Sequence, residues 1–159
     1  MDEKIREKLI THLTDDRSVE YYVALAGKKA TKTDCRALAN AMIPYMLDQL
    51  DSKAGKATKT ADKLREYILQ AGEKGVAEDP KFGSTVLSAL LGSKKMEMIG
   101  FHADDMLVHP FVIENMLIAM APMVLRVYGN EFRKELFPPM PGPMGMPGPG
   151  RPGEPRGRR

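Results

Sequence analysis

From Ile5 to Val127 apolar residues recur every three or four positions, the period of an amphipathic helix, and strand-like alternation is absent. Ile5, Leu9 and Leu13 form the first stripe, and Val19, Tyr22, Val23 and Ala26 repeat it before Gly27, a natural stop. Thr33 or Asp34 is placed to cap a third helix carrying Leu38, Met42, Tyr45, Met46 and Leu50, which Pro44 would kink or divide and Gly55 would end. Thr60 is placed to cap a fourth, with Leu64, Ile68 and Leu69 on its face and Gly72 at its end. A loop from Gly72 to Gly83 is expected next, then a short apolar helix opened by Ser84. Gly92 and Gly100 would bracket a short helix or turn.

The last helix, Pro110 to about Tyr128, has almost no polar face, which predicts burial nearly all round, with Ile113, Leu117 and Met120 in the core. Its length and the early Glu114 and Asn115 argue for a core helix rather than a membrane span, and Pro122 should bend it. Gly129-Asn130 should end it, leaving a short charged segment to Phe137. The expected fold is all-α: a small bundle of about five to seven helices over residues 1–137.

Composition changes at Pro138. Of the 22 residues from there to Arg159, 8 are proline and 6 are glycine. Such a segment lacks the donors for a helix and the apolar mass for a core, so an extended, polyproline-like arm is expected. Glycine recurs every third residue from Gly142 to Gly148, then falls out of register, too briefly for a collagen triple helix. At about 3.1 Å per residue the arm would reach roughly 70 Å, against a body of about 30 Å. It is read as an assembly arm, with Met140, Met144 and Met146 as apolar anchors and Arg151, Arg156, Arg158 and Arg159 for phosphate or an acidic neighbour.

Charge sharpens the picture. The chain of 159 residues carries a net charge of +3, but this hides +5 over residues 27–65 and +3 over the arm, on an acidic remainder. Lys28, Lys32 and Arg36 are four apart, and Lys53, Lys56, Lys59 and Lys63 are three or four apart, so each set shares a helical face. Alanine, glycine and threonine between them would let a phosphate backbone approach closely. With Lys29 and Arg65 these form the candidate nucleic-acid surface, weighed against an ordinary solvated lysine face.

Candidate chemistry is sparse. The N-terminus lacks the apolar core of a signal peptide, and the single cysteine, Cys35, has no Cys or His neighbour. His102, Asp105 and His109 could converge on a metal if helical, but Pro110 biases His109 away from that geometry, so capping and loop roles are preferred. No phosphate loop and no spaced catalytic pair is present, so neither an enzyme nor a cofactor is expected.

A small helical body, lysine stripes among small residues, a very apolar last helix and a Pro/Gly/Arg arm together resemble the major coat proteins of filamentous archaeal viruses, including the tristromavirus type. The resemblance implies a coat protein that self-associates, pairing with a second, related coat protein. It implies wrapping of linear double-stranded DNA into an A-form filament within a virion, sometimes beneath an envelope. Two alternatives remain open: a small helical subunit of an RNA-guided defence complex, and a helical adaptor whose proline-rich tail docks a recognition domain.

Overall fold

The computed structural model describes residues 1–139, and the anchors Met140, Met144, Met146, Arg151, Arg156, Arg158 and Arg159 lie outside them. The described chain is all-α: α1 (Glu3–Leu13), α2 (Asp16–Ala26), α3 (Lys32–Ala54), α4 (Lys59–Ala71), α5 (Pro80–Leu91), α6 (Lys95–Met106), α7 (Pro110–Glu131) and a single turn, α8 (Arg133–Leu136). A 3-10 turn, Gly92–Lys94, joins α5 to α6.

The bundle is built around α7. Each of α1 to α6 packs on it, which explains why its sequence has so little polar face. Ile113, Leu117 and Met120 are fully buried, as their spacing predicts, and each such side chain contributes about 1.5–3 kcal/mol of transfer free energy. The helix is long and apolar enough to cross a membrane by composition, yet 67% of its apolar stretch is buried by its neighbours. Phe111 is the exception to the expected burial, standing 62% exposed in the first turn. Leu69, assigned to the inner face of α4, is also exposed.

Helix starts differ from expectation where several capping residues compete. Thr31, not Thr33 or Asp34, caps α3, its hydroxyl accepting from the Asp34 amide at 3.1 Å. Thr58, not Thr60, caps α4 by accepting from the Ala61 amide at 3.1 Å. Asp79, not Ser84, caps α5, with Pro80 in the first turn, so residues 80–83 belong to the helix and not to the preceding loop. In each case the first side chain able to reach a free first-turn amide sets the boundary.

Three glycines read as helix boundaries lie inside helices. Gly100 is interior to α6. Gly83 and Gly129 sit where helices touch: a Cβ on Gly83 would fall 2.4 Å from the Ile118 carbonyl oxygen, and one on Gly129 would fall 2.3 Å from Ile68 Cγ2. Glycine there permits close approach of α5 and α4 to α7. The prolines behave differently from one expectation as well, since α3 runs undivided through Pro44, and α7 likewise continues through Pro122. The charged segment after Asn130 ends in α8.

Candidate nucleic-acid interface

Lys28 and Lys29 occupy the turn between α2 and α3 and are exposed. Lys32 and Arg36 begin one turn further on, and here α2 answers them with acids. Lys32 Nζ lies 3.3 Å from Asp16 and 3.1 Å from Glu20, and Arg36 also pairs with Asp16. The bond to Glu20, then that to Asp16, raises the Lys32 pKa, and the Arg36 guanidinium, then Lys32, holds Asp16 below its ordinary range. These groups are exposed, so the network mainly offsets charge and fixes side chains rather than adding much stability.

At the other end of α3 the basic residues again divide. Lys53 is half-buried and donates to the Leu90 carbonyl at 3.2 Å, capping the end of α5. Arg65 donates to the carbonyls of Ala54 at 2.6 Å and Lys56 at 3.3 Å, and pairs with Asp62. The carbonyls of Leu90 and Ala54 are among those a helix C-terminus leaves without intrahelical donors. Lys53 and Arg65 therefore tie helix ends together. Lys56, Lys59 and Lys63 are exposed, and none makes an ion pair among the described residues. Lys59 and Lys63 are one turn apart at the start of α4.

Of nine candidate residues, four thus have intramolecular partners, and five, Lys28, Lys29, Lys56, Lys59 and Lys63, remain presented to solvent. The five form two clusters, one just before α3 and one just after it. With 23 residues, α3 spans roughly 35 Å between the turn holding Lys29 and the turn holding Lys56, at about 1.5 Å per residue, and the second cluster continues into α4.

The other candidate chemistry resolves into structure. His109 accepts from the Phe111 amide through Nδ1 at 3.0 Å and so caps α7. His102 stacks edge-on against Phe101 at 5.1 Å, and burial lowers its pKa, partly opposed by Asp105. No group of three or more His, Cys, Asp or Glu side chains able to hold a metal occurs among the described residues. Cys35 is fully buried, and burial, then Asp34, pushes its thiol pKa up to about 12.

Exposed apolar residues on α6, in the turn after it and at the start of α7 were not foreseen from spacing. Met96, Phe101, Leu107 and Phe111 are all well exposed. Their signal was present in principle: α6 carries apolar residues on more than one face, which one neighbouring helix cannot cover. A scan against protein-family models and searches of curated proteins and of solved structures found no match to this chain.

Proposed function

We propose that the chain is a structural nucleoprotein subunit, a coat protein of the filamentous-virus kind, that polymerises along double-stranded DNA and holds it through phosphate contacts. The observation that carries the reading is the pair of lysine clusters at the two ends of α3, without ion pairs among the described residues. The length of α3, roughly 35 Å, is close to one turn of B-form duplex, about 34–36 Å, the form in which the DNA is first met. Two such clusters, one before α3 and one running from its end into α4, would meet phosphates about one turn apart. Lysines neutralise phosphates and read no bases, so binding would be independent of sequence.

The role asks for no catalysis. It asks for a rigid body, which the α7-centred core supports, and for subunit contacts, which the arginine-ended arm would supply. In a virion the arm would lock neighbours and the lysines would face the nucleic acid. The test is reconstitution: purified chain mixed with linear duplex DNA should give filaments by electron microscopy. The Lys56→Glu, Lys59→Glu, Lys63→Glu triple variant, with unchanged circular dichroism, should not. Filaments of ordinary length from the triple variant would move the site elsewhere. Small, discrete complexes in place of filaments would favour a subunit of a nucleic-acid-guided assembly.

A further inference from the structure

We propose that the groove between α3 and α6 seats the C-terminal arm, residues 140–159, of a neighbouring copy of this chain. The inference rests on the assembly reading above.

The groove has a volume of about 390 Å³ and is lined by Tyr45 of α3 and by Lys94, Glu97, Met98, Phe101 and His102. Its walls are aromatic and apolar. Phe101, one of its lining residues, is 63% exposed. A single exposed apolar residue needs no explanation, but an exposed Phe101 joined by Tyr45 and Met98 in one groove marks a surface that folding leaves uncovered.

The arm has the chemistry to cover it. Its first part alternates methionine with proline: Met140, Pro141, Pro143, Met144, Met146 and Pro147. Proline-rich segments lose little conformational entropy on docking and bind in aromatic-lined grooves. Methionine adapts to irregular apolar walls. Charge runs the same way on both partners. The arm turns basic after its apolar part, from Arg151 to Arg159, and α6 carries two adjacent exposed acids after Phe101, Asp104 and Asp105, against one, Glu97, before it. The groove's cation, Lys94, stands before the opposite end of α6. An apolar stretch on Phe101 and Tyr45 would therefore lead the arginines toward the aspartates. At about 3.1 Å per residue, 20 residues reach roughly 60 Å, twice the body's width of about 30 Å. Fully extended, a segment of that length would be long enough to pass its own body.

Disulfide trapping between full-length chains tests the inference. One chain carries Glu97→Cys in the groove and the other Met144→Cys in the arm; the buried Cys35 does not compete. Mixed under mild oxidation, they should form covalent dimers about tenfold or more faster than a Met144→Cys chain mixed with one bearing Glu66→Cys on α4, because docking raises the effective concentration. Adding Phe101→Ala to the groove chain should return the rate to that control, with circular dichroism unchanged because Phe101 is exposed. Equal rates for groove and control cysteines would overturn the proposal. So would trapping seen only when both cysteines sit on one chain, which would make the arm a cover for its own groove. A failure of DNA binding would leave this result standing, so the two readings fail by separate measurements.

Discussion

Leu117 and Gly83 represent the two ways single residues shape this core. Leu117 fills space at the centre of α7 and is fully buried. Leu117→Ala should cost about 2–5 kcal/mol in urea unfolding, the transfer term plus the cavity. Gly83 matters for what it lacks. Its missing Cβ would meet backbone, the Ile118 carbonyl, so α5 or α7 must shift to accept any side chain. Gly83→Ala should destabilise by about 1–3 kcal/mol despite alanine's better helix propensity. Leu117 was legible in the sequence because periodicity marks inward positions. The role of Gly83 was not, because a glycine that ends a helix and one that admits a neighbouring helix look alike until the neighbour is placed.

The capping aspartates add a pH dependence at the same scale. Asp15 accepts from the Ser18 amide at 2.8 Å, and that bond holds its pKa below the ordinary value. Asp16 and Asp48 are lowered likewise, chiefly by Arg36 and Arg6. A depressed carboxylate pKa means stability that is complete above the unfolded value, about 4, and lost as pH falls through the folded value. The urea midpoint should hold steady down to about pH 5 and drop toward about pH 3. Asp15→Asn keeps a capping side chain without the titration, so its midpoint should fall less steeply over that range.

Between helices, the basic residues of 27–65 separate into two jobs. Lys53 and Arg65 hold helix ends, whereas Lys56, Lys59 and Lys63 face solvent. Arg65→Met should cost about 1–3 kcal/mol, since it strips a charged donor from the carbonyls that close α3. Lys63→Glu should leave stability within about 0.5 kcal/mol. A thermal melt of the two variants separates the jobs. Spacing along the chain could not make this distinction, because Lys53 and Lys56 have the same local pattern. The difference lies in Leu90, 37 residues away in sequence, whose carbonyl reaches only Lys53. The acids opposite Lys32 and Arg36 come in the same way from α2. Helix cores and helix number were readable from period alone, whereas caps, partners and uncovered faces depended on packing between elements.

At the scale of the molecule, the central claim is that the two lysine clusters flanking α3 neutralise phosphates together. The most direct test is the salt dependence of duplex DNA binding by full-length chain. Each phosphate neutralised contributes about −0.9 to the log–log slope of affinity against salt. Lys28→Glu with Lys29→Glu should flatten the slope by at least about 1.8, and the triple variant at Lys56, Lys59 and Lys63 by at least about 2.7. Both variants should lose affinity equally for unrelated sequences, as contact with phosphates alone requires. Slopes unchanged from wild type in both variants would contradict the account.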